Sequence, residues 1–256
     1  MTAAPEIVAP EADAPQADAP QADAPPPAVR ARALQLHADR GAVYGPVDLD
    51  LAAGALTLIQ GPQGAGRTSL LLTLAGRMVP DASCDLVVLG HRLPRHRGQV
   101  QREAAVAGFA GVDELDDSVT VGDHVRERLA WLAPWYRRAA RADQRRVDAV
   151  LAPVFGDRPV PDAGTVVWHL DEVDALLLRI ALAMAQRPGL LVVDDVDQVH
   201  DRARRRIVWD RLEAIAATGV TVVASCAAAD EAAGTAWTVV PVSAPTDLTD
   251  LTDLTD

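Results

Sequence analysis

The chain of 256 residues, 49% of them hydrophobic, can bury one substantial core and at most a small appended subdomain. No apolar run approaches the roughly 18–20 residues of a membrane-spanning helix, and the N-terminus shows neither the basic start nor the apolar core of an export signal. Nine of the 36 acids sit at the two ends (Glu6, Glu11, Asp13, Asp18, Asp23, Asp247, Asp250, Asp253, Asp256), so the rest, with its 24 arginines, is only about −3 and the formal charge of −12 says little about partners.

Residues 1–28 carry the repeat APEADAPQADAPQADAPPP, with almost nothing to bury. Disorder with locally extended backbone is expected there. The end, 246–256, is a TDL repeat with the same expectation. Between them, 29–245 reads as one body. ALTLIQ (55–60) is a short buried strand that runs straight into GPQGAGRTSL (61–70), and TSLLLTLAGRM (68–78) is the helix after it. CDLVVLG (84–90) and AVAGFAG (105–111) read as further short strands.

The texture then becomes helical. Val121, Val125, Leu129 and Leu132 recur at helical spacing, as do Val147, Val150, Leu151 and Val154, with Pro134 between the two runs. Trp131, Trp135 and Tyr136 cluster at the break and read as packing for this subdomain (about 121–170) or as its docking surface. A nearly apolar helix, about Glu172 to Gln186, leads to LLVVDD (190–195), apolar on both faces as a central parallel strand is. Arg202 to Ala217 is an amphipathic helix stopped near Gly219, and VTVVAS (220–225) is the next buried strand. Strands alternating with helices imply an α/β fold with a largely parallel sheet and a helical insertion. Cys84 and Cys226 lie far apart in apolar surroundings, which argues against a disulfide framework and for a reducing, cytoplasmic compartment.

Strand, G-x-x-x-x-G-x-[ST], helix is the setting of a phosphate-binding loop. Gly61, Gly64, Ala65 and Gly66 would turn backbone N–H groups toward phosphates, and the start of the following helix adds a favourable dipole. Thr68 or Ser69 would offer a hydroxyl to Mg²⁺. Arg67 stands where such loops carry lysine. The chain contains no lysine at all, so a general drift to arginine is the plain explanation. The matching half of such a site is an apolar strand ending in a metal-side acid, and LLVVDD supplies Asp194, with Asp195 beside it.

This order of segments resembles the ATP-binding cassette family, the nucleotide-binding subunits of ABC transporters, from about Ala33 to Val240. RIALAMAQRPGLLVVDDVDQVHD is similar to that family's helix, proline, metal-binding strand and following loop, the last on Gln198 to Asp201. PDASCDLVVLGHRLP (80–94) and VTVGDHV (119–125) resemble its β-rich stretch and the start of its helical subdomain. The resemblance implies a P-loop cassette that binds ATP with Mg²⁺ at the inner face of the cell membrane. Its partners would be a membrane permease and a second cassette, with Asp195 in the place of the glutamate that polarises the attacking water. The composition, free of lysine and rich in Ala, Arg and Asp, points to a high-GC bacterium such as an actinomycete.

Departures from the family pattern are numerous. The signature L-S-G-G-Q falls on Leu170 to Asp174, here LDEVD. Gly111 stands at the Q-loop glutamine and Cys226 at the switch histidine. His37, Ala38 and Asp39 occupy the region of the adenine-stacking aromatic, with Tyr44 out of register. A carboxylate about 4 Å from a phosphate charge at an effective dielectric near 20 means repulsion on the order of 4 kcal/mol, so LDEVD cannot receive a γ-phosphate as the usual signature does. Asp171 instead reads as an N-cap, with Asp174 in the first turn. Hydrolysis is therefore expected to be weak or partner-dependent. RARRR (202–206) begins an amphipathic helix in a slightly acidic body and reads as a solvated face, so nucleic acid is not an expected partner. His91 and His96 lack metal-ligand company, and Cys226 reads as an inert buried thiol.

Overall fold

The structure is a computed structural model and describes residues 26–39, 41–134, 136, 142–228, 230, 235 and 237–243. The C-terminal repeat, all but residues 26–28 of the N-terminal stretch, and Trp135 lie outside the described residues. In chain order the elements are β1 (Val29–Ala38), β2 (Gly41–Leu51), β3 (Leu56–Gln60), α1 (Arg67–Leu74), β4 (Asp85–Val88), β5 (His91–Leu93), α2 (Arg97–Glu103) and β6 (Ala104–Ala107). There follow α3 (Val121–Leu132), α4 (Gln144–Phe155), α5 (Glu172–Met184), β7 (Leu190–Val193), α6 (Arg202–Ala216), β8 (Thr221–Cys226) and β9 (Thr238–Pro241).

Two sheets form. Five strands run parallel in the order β6-β7-β8-β3-β9, and four antiparallel strands make a second sheet in the order β2-β1-β4-β5. Four of the parallel strands, β3, β6, β7 and β8, were legible as short apolar runs, whereas β9 at the sheet edge was not read from the sequence. CDLVVLG instead enters the antiparallel sheet, pairing with β1 as Val29↔Val88. Residues alternate between two cores, as the period of two in a strand requires. In β7, Leu191 and Val193 pack with α3 to α6, whereas Leu190 and Val192 face α1, α2 and the antiparallel sheet.

The helices on the first of these faces begin in the same way. Thr120 caps α3, Asp143 caps α4, Asp171 caps α5 and Asp201 caps α6, each side chain accepting the N–H three residues on. Such caps satisfy donors that a helix start leaves open. α1 differs: its N-cap is Gly66, left-handed at φ 76°, with no side-chain cap and no acid in the first turn. It ends at Leu74, earlier than the apolar run suggests, because left-handed Gly76 closes it, with the Arg77 N–H reaching Leu72 O at 2.8 Å.

The expected solvated face of RARRR is only partly so. Arg205 turns inward, its side chain 17% exposed, and donates to Val199 O at 3.1 Å. Trp131 and Tyr136 are 78% and 70% exposed, so neither is buried in the helical insertion.

Candidate functional site

Parallel α/β sheets place ligands at the carboxyl ends of their strands. Here β3 ends at the glycine loop, β7 at Asp194, β8 at Ser225 and Cys226, and β6 at Gly108. The strand order puts β8 between β3 and β7, and Ser225 joins what those two strands carry. Its hydroxyl donates to Asp194 Oδ1 at 2.5 Å and accepts the Asp195 N–H at 2.8 Å. The Thr68 hydroxyl donates to Asp194 Oδ2 at 2.6 Å. Asp194 itself is buried, held from both sides by residues 126 and 31 positions away.

These groups border a cleft of about 650 Å³. Gly64, Gly66, Arg67, Thr68, Asp194 and Asp195 line it. Gly61, Ala65 and Ser69 shape the loop from behind. A side chain at Gly61 would lie 2.3 Å from Val242 O. Ala65 is buried and spends its N–H on Pro62 O at 3.2 Å. The Ser69 carbonyl accepts the Thr73 hydroxyl at 2.8 Å. Gly66 has no alternative, since a Cβ there would sit 2.2 Å from Val43 O in a left-handed backbone.

The residue expected at the water, Asp195, has φ 48°, a conformation costing a non-glycine residue about 1–3 kcal/mol and concentrated at functional sites. Partial burial and the Asp197 charge, with Asp194 adding to them, push its carboxyl above the ordinary range against the pull of Arg67. Arg67 is nearly enclosed, its side chain 12% exposed. Its Nη1 lies 3.9 Å from Asp197 Oδ2, and that buried nitrogen finds no hydrogen-bond acceptor among the described residues.

Sequence reasoning missed a second group bordering the cleft. Arg179 of α5 makes a bidentate contact with Asp113 at 3.0 and 2.8 Å and donates to Phe109 O at 3.0 Å and Gln198 Oε1 at 3.1 Å. Asp113 also accepts the N–H groups of Gly108 and Phe109 at 2.9 and 2.7 Å, while Gln198 donates to Asp195 O at 2.9 Å. This rack ties the loop around Gly111 to the residue after Asp194. Its members come from three segments far apart in the chain (108–113, α5 and 195–198), so no linear pattern announces them.

LDEVD lies at the start of α5 and does not line the cleft. Asp171 accepts the Asp174 N–H at 2.8 Å, and Arg158 binds both carboxylates, Asp171 Oδ2 at 2.8 Å and Asp174. Glu172 holds His200, accepting its N–H at 3.2 Å and its Nδ1 at 3.0 Å. Burial would raise the Asp171 carboxyl, but the Asp174 N–H and Arg158 together hold it below the ordinary range. Tyr44 is no stacking platform. It is fully buried, donates to Thr73 Oγ1 at 2.7 Å, and burial raises its phenol to about 12. His37 is turned to Asp81, 2.6 Å from its Oδ2. Cys226 is buried, and neither cysteine enters a disulfide.

This geometry meets known proteins in one family. Residues 44–198 match the family model described as ABC transporter. An Fe(3+) ions import ATP-binding protein of Serratia marcescens is 30% identical over 162 residues, covering 62% of this chain and 44% of that protein. A Nod factor export ATP-binding protein I of Cupriavidus pinatubonensis is 28% identical over 180 residues, covering 70% and 52%. The chain thus spans about half the length of the curated relatives it matches. Among solved structures, cbiO1 of Clostridium perfringens superposes with a TM-score of 0.65 at 15% identity, covering 80% of each chain. A dimeric bacterial ABC transporter cassette, MJ0796, gives 0.64 at 16% identity, covering 84% of this chain and 94% of that one. Those two likenesses concern the fold, which is that of an α/β P-loop cassette. With a family match across more than half its length, and a glycine loop and buried acid meeting at the carboxyl edge of a parallel sheet, the chain belongs to the ABC transporter family.

Proposed function

We propose that this chain is an ATP-binding subunit that couples ATP binding and hydrolysis to a membrane permease, with an intact phosphate cradle and weakened chemistry around it. The observation that carries the reading is the buried Asp194 carboxylate, held by the hydroxyls of Thr68 and Ser225, beside a helix start left without a cap. The four helix starts on the opposite face are each closed by a side chain; those of α1 and α2 are not, and of these two it is the start of α1 that borders the cleft.

In this reading Gly64, Gly66 and the first turn of α1 take the phosphates, and Gly61, Ala65 and Ser69 hold the loop in shape. Arg67 fits a phosphate because its buried Nη1 lacks an acceptor. Thr68 and Asp194 are the residues that would hold Mg²⁺, a hard cation suited to oxygen donors, which supplies neutralisation of phosphate charge. Asp195 orients the attacking water. Its raised pKa moves it toward the range useful to a general base, but its side chain is one methylene shorter than glutamate. Displacement of a reacting group by about 1 Å can cost roughly 100-fold in rate.

The permease is read onto a second cleft, of about 330 Å³, between α3, α5 and the loop after β6. Trp131 and Val112 stand exposed at its rim, and Arg179, Asp113 and Glu114 border it as well, so it adjoins the nucleotide cleft. The domain runs from 29 to 245 with its helical subdomain at about 121–170, at the inner face of the cell membrane. Relatives named for import and for export both match, so cargo and direction belong to the permease. A second cassette is a further partner, since a cassette of this fold is known as a dimer. The acids of LDEVD, already committed to capping, disfavour a closed homodimer. An actinomycete source rests on composition alone. No nucleic-acid role is proposed.

A second reading, an ATP-holding regulatory or scaffold module with little turnover, is favoured by the strained Asp195 and by the filled α5 start. Equilibrium dialysis with Mg²⁺ tests the shared part. Saturable ATP binding is expected, and its absence at millimolar nucleotide refutes both ATP-binding readings. Phosphate release with and without a candidate permease partner separates them: stimulation supports the transport subunit, and an unchanged trace supports the regulatory module.

A further inference from the structure

The substitution of arginine for lysine in the loop has a partner elsewhere in the chain. Arg67 Nη1 is 3.9 Å from Asp197 Oδ2, an ion pair without a hydrogen bond. Asp197 is fixed by others: the Ala227 N–H donates to its Oδ2 at 2.5 Å, and Arg205 Nη1 lies 3.6 Å from its Oδ1. Both partners of the pair are largely enclosed, at 12% and 24% exposure. Arg67 also lines the nucleotide cleft. A lysine would bring a compact charge on a flexible stem, whereas arginine's planar fork offers donors along two edges and can serve two anions at once.

We propose that Asp197 is an affinity-determining residue of the nucleotide site, an internal anion that competes with the incoming phosphates for Arg67. This rests on the ATP-binding reading above. The unsatisfied Nη1 is the mark of the competition: Asp197 draws the charge without fulfilling the donor, and a phosphate oxygen does both. Binding therefore has to overcome the attraction of Asp197, and nucleotide affinity is set below what the loop alone would give. The same carboxylate contributes to the raised pKa of Asp195, so one acid acts on both the phosphate-side and water-side groups.

The test measures MgATP affinity by isothermal titration with the full chain and three variants. Asp197→Asn keeps an acceptor for the Ala227 N–H while removing the charge, and is expected to tighten binding about tenfold, the effect of one nearby charge after screening. Asp210→Asn removes an equal charge from the outer part of α6, where Asp210 pairs with Arg206 at 2.7 Å, and is expected to change affinity less than twofold. In an Arg67→Ala background, Asp197→Asn is expected to lose most of its gain. Should Asp197→Asn fold poorly by circular dichroism, Asp197→Ser is measured in its place, with the same expectation. Equal tightening by the Asp197 and Asp210 variants means a general field and overturns the proposal. A full gain without Arg67 means direct repulsion of the phosphates and also overturns it. Saturable binding that is identical in the wild type and the Asp197 variant refutes this proposal alone, whereas no binding by any form refutes the ATP-binding reading and this proposal with it.

Discussion

Replacing Asp171 by alanine tests whether the acidic LDEVD segment is built for stability or for chemistry. Two interactions are lost: the cap on the Asp174 N–H at 2.8 Å and the ion pair with Arg158 at 2.8 Å. Loss of an Asp cap costs about 0.5–2 kcal/mol. The ion pair, with side chains 25% and 36% exposed, is discounted for solvent screening to about 0.5–1 kcal/mol. Asp171→Ala should therefore lower unfolding stability by roughly 1–3 kcal/mol, while Asp171→Asn, as good a cap, loses only the part due to the ion pair. Urea titration followed by circular dichroism gives both values. The pH dependence has a definite sign. Because the folded carboxyl is held below its ordinary range, its contribution is present above the unfolded pKa of about 3.9. It is lost as pH falls through the lower folded value, so the gap between wild type and Asp171→Ala should close under acid. MgATP affinity of the isolated chain should not change. Equal losses for Ala and Asn would refute the cap, and weakened nucleotide binding at unchanged stability would give Asp171 a chemical role.

Ser225→Ala removes a donor from buried Asp194 and an acceptor from the Asp195 N–H; a loss of about 1–3 kcal/mol is expected, together with weaker Mg²⁺ dependence of ATP binding, and Ser225→Thr should restore both. Gly66→Ala places a Cβ 2.2 Å from Val43 O in a left-handed backbone, and should cost more than about 2 kcal/mol with loss of nucleotide binding, read by melting and dialysis; near-wild-type values would mean the loop has another conformation. Phosphate release by the isolated chain should stay well below about one turnover per second, with Asp194→Ala as the control for contaminants. Arg67→Lys or Asp195→Glu alone should help little and the pair more, since groups acting as a unit are non-additive. A wild-type rate near one per second that vanishes in the control would show that the chemistry is not weakened.

The parts of this protein that its sequence determined are those governed by near neighbours. Short continuous apolar runs marked β3, β7 and β8, and the length and spacing of apolar residues marked α3, α5 and α6, because run length and period follow from backbone geometry. The glycine loop was legible because left-handed turns and close approach leave few residues to choose from. The capping of α5 was legible because a cap and its N–H lie three residues apart. Tertiary structure decided the rest. LVV in CDLVVLG reads like any buried strand, and only its pairing with β1 placed it in an antiparallel sheet. Thr68 stood in the sequence only as a hydroxyl beside the glycine loop, and it is the first turn of α1 that brings it within hydrogen-bond reach of Asp194, 126 residues on. Ser225 gained its place because β8 inserts between β3 and β7. Arg67 meets Asp197 and Arg179 meets Asp113 across long stretches of sequence. Charges and hydroxyls carry no periodicity of their own, so what they bind is set by which strand ends the sheet brings side by side.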